Sequence, residues 1–118
     1  MIQFYRAEGE KLLVKNVEDV EDFLKKVKIL VNDKDKARVN DASWADGKVN
    51  KTLQYKTEKG ITNDVIRSVV AELNVEHYSS TQKDINKYFP NEEVWIFGIT
   101  KNLVDEDENF YIKLKIKK

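Results

Sequence analysis

Residues 110–117 alternate strictly between apolar and polar positions: Phe110, Ile112, Leu114 and Ile116 share one face of an extended chain, and Tyr111, Lys113, Lys115 and Lys117 the other. Period two with an apolar inner face predicts a half-buried strand. Its second face carries a tyrosine and three lysines, which suits contact with a polyanion such as RNA. Lysines on a late strand also guard an edge against aggregation, and the pattern alone favours that use. Just upstream, Val94 and Ile96 alternate with Trp95, Phe97 and Ile99, so both faces are apolar and a central strand covered on both sides is predicted over 94–100.

Two segments change the period to that of a helix. Asn16 is a good N-cap, with Glu18 and Asp19 in the first turn, and Val17, Val20, Phe23, Leu24, Val27, Leu30 and Val31 form one face. Thr62 caps a second helix with Asp64 in its first turn. There Ile61 can pack onto Ile66, and Ile66, Val69, Val70 and Leu73 form the buried stripe.

The remaining segments read less regularly. Residues 2–6 and 11–15 are short β-rich runs around Gly9, which predicts an N-terminal hairpin over 1–15. Residues 37–45 look extended, and Asp46-Gly47 is a turn signal leading to a second extended run over 48–56. From His77 to Pro90 the chain is polar and reads as a long loop with a helical turn near Ile85 to Phe89. Asp105, Glu106, Asp107 and Glu108 form the acidic tip of a hairpin into the last strand.

Composition narrows the classes. A chain of 118 residues is one domain, with 41% hydrophobic and 36% charged positions. Its 21 basic and 21 acidic residues cancel, so attraction to nucleic acid has to come from local asymmetry. With no cysteine, disulfides and thiolate metal sites are excluded, and with one histidine a zinc site is implausible, so no metal or cofactor is expected. No apolar run reaches spanning length, and a soluble cytoplasmic protein is expected, without membrane contact. The four glycines, at 9, 47, 60 and 98, are never spaced as a phosphate cradle. His77 is suited to acid or base work near neutral pH, and better to the end of a helix, whose dipole favours a cation. Trp44 and Trp95 suit a core or an interface better than a base-stacking platform.

Taken in order, a helix, Gly60-Ile61-Thr62 opening another, Glu76-His77-Tyr78, Val94-Trp95-Ile96-Phe97-Gly98 and Tyr111-Ile112-Lys113-Leu114 resemble the MqsR (motility quorum-sensing regulator) family of bacterial toxins over about residues 20 to 117. The most specific part is Trp-x-Phe-Gly followed by Tyr-Ile-Lys-Leu. The resemblance implies an α+β fold of the RelE-like ribonucleases, a twisted antiparallel sheet with two main helices packed on one face. It also implies a metal-independent endoribonuclease that cleaves mRNA and is restrained by a cognate antitoxin. In such cleavage the RNA's own 2′-hydroxyl attacks, and the protein supplies proton transfer and charge.

Carried over residue by residue, Tyr111 matches a family tyrosine implicated in the active site, and Lys113 follows it on the same face. His77 or Lys83 would handle the proton, and Lys113, Lys115 and Lys117 would hold RNA. Ser79 stands where the family has a lysine, and Ile96 where it has a polar residue. A final family strand has no counterpart, and residues 1–15 would fill that edge, bringing Arg6 or Lys11. The alternative is a non-catalytic inhibitor on the same scaffold. It would be a phage or mobile-element protein, anti-CRISPR-like, that binds a host nuclease or CRISPR effector through Asp105, Glu106, Asp107 and Glu108.

Overall fold

A computed structural model describes residues 2–4, 14–40, 50–83 and 93–116. In chain order these form β1 (Ile2–Phe4), α1 (Val17–Leu30), α2 (Lys51–Lys59), α3 (Asn63–Ala71), a 3-10 turn (Val75–His77), β2 (Tyr78–Lys83), β3 (Glu93–Asn102) and β4 (Asp107–Leu114). The strands make one antiparallel sheet in the order β1-β4-β3-β2. An α+β fold with an antiparallel sheet is therefore what the chain adopts.

Local signals explain the two helices that the sequence announces. The Asn16 side chain accepts a hydrogen bond from the Asp19 N–H at 2.9 Å, and Thr62 accepts one from the Val65 N–H at 3.3 Å. Val20, Phe23, Leu24 and Val27 of α1 and Ile66, Val69 and Val70 of α3 are buried in one core with Phe97, Ile99, Phe110, Ile112 and Leu114 of the sheet. Val17, expected on the buried stripe, is instead exposed in the first turn of α1. Phe23 stacks on Trp95 with ring centroids 4.2 Å apart, so one edge of the core is aromatic.

Several expectations are corrected. Residues 51–59 are helical, where an extended run over 48–56 was expected. The Asn50 side chain accepts from the N–H groups of Thr52 and Leu53, and Gly60, in the left-handed region at φ 69°, ends the helix. Three helices rather than two therefore occur among the described residues. The stretch after Val75 is not irregular, because residues 78–83 form the edge strand β2. In the expected N-terminal hairpin, β1 pairs with β4 instead, with Ile2 opposite Leu114, while Val14 and Lys15 are not in a strand. Of the extended run over 37–45, Val39 makes a single parallel bridge to Ile2. Arg6, Lys11, Trp44, the Asp46-Gly47 turn, the turn near Ile85 to Phe89 and Lys117 lie outside the described residues.

β3 is central, as its two apolar faces predict. Phe97 is fully buried on the core side, and Ile96 is buried on the opposite side in a row that pairs it with Lys113 of β4 and Ser80 of β2. The registry of that second face decides where the candidate chemistry sits.

Candidate functional site

Tyr111 is 39% exposed, on the face of the sheet away from the core. Its partner across β3 is Gly98. A Cβ built on Gly98 would meet nothing closer than the Phe110 carbonyl oxygen at 3.9 Å, so glycine leaves an open notch beside the phenol. On the far side of β3, Phe97 pairs with Tyr78, the first residue of β2, and His77 immediately before it closes the 3-10 turn.

The His77 ring is oriented by its own turn. Its Nδ1 accepts a hydrogen bond from the Asn74 N–H at 3.0 Å, and the Asn74 side chain accepts from the Glu76 N–H at 2.9 Å. A neutral imidazole used in this way carries its proton on Nε2, so the free nitrogen is a donor. That suits hydrogen bonding to an oxyanion and does not suit a base at Nε2.

The other residues expected at the site are placed elsewhere. Lys83 is exposed at the opposite end of β2, where it pairs with Glu93, roughly 16 Å along the strand from Tyr78. Lys113 shares Tyr111's face, as the alternation requires, whereas Lys115 lies past the end of β4; they are only 9% and 7% exposed, and each is engaged by other groups of the chain. The open lysine strip is thereby corrected: Ile96 and Ser80, in the same row as Lys113, are buried with it, so this end of the second face is covered. Ser79, at the position where the family resemblance implies a lysine, is the extra residue at the register shift between Tyr78 and Ser80, and it is exposed.

The acidic turn divides in two. Asp105, Glu106 and Asp107 are exposed beside the half-exposed Val104, whereas Glu108 accepts a hydrogen bond from the Tyr55 hydroxyl at 2.5 Å. Burial first, then that bond and the nearby charges of Glu108, Asp105 and Glu106, push the Tyr55 phenol well above its usual range.

Tyr78 was not singled out by sequence reasoning, and it organises the neighbourhood. Its hydroxyl accepts from the Lys15 N–H at 2.9 Å and shares a 2.8 Å hydrogen bond with the Thr81 hydroxyl, while its ring packs edge-on against Phe97 at 5.7 Å. Lys15 in turn pairs with Glu93 at 2.8 Å, the main cause of its raised pKa. The alternation that would have marked Tyr78 as a strand residue is broken at Ser79.

An open depression of about 670 Å³ between residues 31–35 and α3 offers little chemistry. Its Arg67 is committed to Asp64 at 3.0 Å and to the Ala37 carbonyl at 2.8 Å. Among the described residues no cluster of His, Asp or Glu could hold a metal ion, and no helix is long and apolar enough to cross a membrane. Comparison of the chain with models of known protein families, with characterised proteins and with solved structures returns no match.

Proposed function

We propose that this chain is a metal-independent endoribonuclease toxin, similar to the MqsR family, that acts on mRNA in the cytoplasm and is restrained by a cognate antitoxin. The observation that carries the reading is Tyr111, exposed opposite Gly98 on the face of the sheet away from the core, with His77 closing the turn that leads into β2. An extended RNA strand could lay a phosphate on the Gly98 notch, beside the Tyr111 phenol. The 2′-oxygen then bonds to phosphorus and loses its proton to solvent. As the bond to the 5′-oxygen breaks, the Tyr111 hydroxyl protonates that oxygen, and His77 Nε2–H donates to a non-bridging phosphate oxygen. The test is incubation of purified protein with single-stranded RNA in excess chelator. Fragments ending in 2′,3′-cyclic phosphate are expected, with Tyr111→Phe at least about 100-fold slower. RNA left intact by folded wild-type protein defeats the proposal.

One observation favours a second reading, the non-catalytic inhibitor. Burial of Lys113 and Lys115 removes two expected phosphate contacts, while Val104 to Asp107 project as an acidic turn. Such a turn fits a basic, nucleic-acid-binding surface of a host nuclease or CRISPR effector. Protein that leaves RNA intact and inhibits such an enzyme, with inhibition lost in Asp105→Lys/Glu106→Lys, would establish this reading.

A further inference from the structure

The exposed side of α1 carries charge in an order that matches its own reverse. Glu18, Glu21, Lys25 and Lys28 follow one another at intervals of three, four and three residues, so they lie in a single stripe along the helix. All four are exposed, and none takes part in an ion pair among the described residues. At the ends of the stripe stand Val17, 57% exposed, and Ile29, 74% exposed, two of the five large apolar side chains that the described surface leaves open.

We propose that this stripe is a self-association surface whose partner is a second copy of the chain, with the two α1 helices antiparallel about a two-fold axis at the level of Phe23. In that arrangement Glu18 faces the partner subunit's Lys28 and Glu21 faces the partner's Lys25. Symmetry repeats each contact, giving four opposite-charge pairs, as an isologous interface requires. A parallel pairing would set like charges against each other. The acidic-to-basic order also complements the helix's own dipole, but that effect gives no change of mass with salt. Zero net charge removes long-range repulsion between copies. A helix of 14 residues is about 21 Å long, so the contact is small and the dimer is weak and salt-sensitive. This inference is independent of RNA cleavage.

Sedimentation equilibrium of the full chain tests it. At ~20 mM salt the mass is expected to rise with concentration from 13.8 kDa toward twice that value, and to return to 13.8 kDa at ~500 mM. Glu18→Lys/Glu21→Lys and Lys25→Glu/Lys28→Glu alter only exposed positions, and each should weaken self-association roughly tenfold or more. Mixing the two variants should restore a dimer, because every pair is then opposite in charge. A wild-type chain that stays at 13.8 kDa at low salt overturns the proposal, as does a dimer that survives in both variants or a mixture that fails to associate.

Discussion

The Tyr55 hydroxyl donates to the Glu108 carboxylate across 53 positions of sequence, tying α2 to the start of β4. The Tyr55 ring also meets Phe110 edge-on at 5.3 Å, so the side chain packs and hydrogen-bonds at once. Tyr55→Phe keeps the ring and removes the bond, and is expected to lower stability at pH 7 by about 1–2 kcal/mol, read from denaturant midpoints.

The same bond sets a pH dependence. The folded state holds Tyr55 neutral above the usual phenol range, whereas the unfolded phenol loses its proton near pH ~10. Below that pH the stabilisation is fully present. Above it the unfolded state binds fewer protons than the folded state, so stability falls as pH rises. Denaturant melts from pH 8 to 11 should show the wild-type midpoint dropping faster than that of Tyr55→Phe. Parallel curves would mean that Tyr55 titrates alike in both states.

Asn16 and Asn50 both cap helices, but their surroundings differ. Asn16 is exposed and serves one N–H, so Asn16→Ala should cost about 1 kcal/mol. Asn50 is 5% exposed, accepts from two N–H groups and donates to the Asn40 carbonyl at 3.1 Å. Asn50→Ala leaves buried groups unpaired and should cost about 2–3 kcal/mol. Equal thermal shifts in the two variants would contradict this ranking.

That contrast also explains what could be read from the sequence. α1, α3, β3 and β4 are legible because their caps and periods are local: Asn16, Thr62 and the alternation from Phe110 to Ile116 need no distant partner. α2 hides because Lys51, Gln54, Lys56 and Glu58 give it little apolar stripe, and it is anchored by Asn50 and by Tyr55 reaching β4. β2 hides because Ser80 and Thr81 are polar yet buried, an outcome of pairing with β3 that composition does not carry. For the lysines, alternation correctly assigned Lys113 to the face opposite the core but could not say that this part of the face is covered, nor that the strand ends at Leu114, before Lys115. That Tyr111 stands opposite Gly98 is set by the register of β3 and β4, which only the assembled sheet defines.

Burial of the lysines revises what their removal should do. Leu114→Ala should destabilise by about 2–5 kcal/mol through lost contacts and a cavity, since Leu114 is 3% exposed. Lys115, at 7%, would be harmless to truncate if it were a solvated edge residue. Because the residue is buried and interacts with other groups of the chain, Lys115→Ala should instead cost about 1–3 kcal/mol, against less than about 0.5 for the exposed Lys26→Ala. Urea midpoints that do not separate Lys115→Ala from Lys26→Ala would show that the contacts of Lys115 contribute nothing.

Gly98→Val separates the notch from the fold. Gly98 lies mid-strand in β3 without a positive φ, and a Cβ there meets only ordinary van der Waals contact at 3.9 Å. Valine is favoured in strands over glycine by up to about 1 kcal/mol, so the variant should melt at or above the wild-type temperature. The new side chain would nevertheless occupy the space beside Tyr111 on which the proposed cleavage places the phosphate. Cleavage of single-stranded RNA should fall at least about 100-fold, as in Tyr111→Phe, although no proton-bearing group has been removed. Gly98→Ala, with one methyl group, should fall between valine and wild type. A Gly98→Val protein that is folded and cleaves at the wild-type rate would place the reaction away from this notch, whatever Tyr111→Phe does.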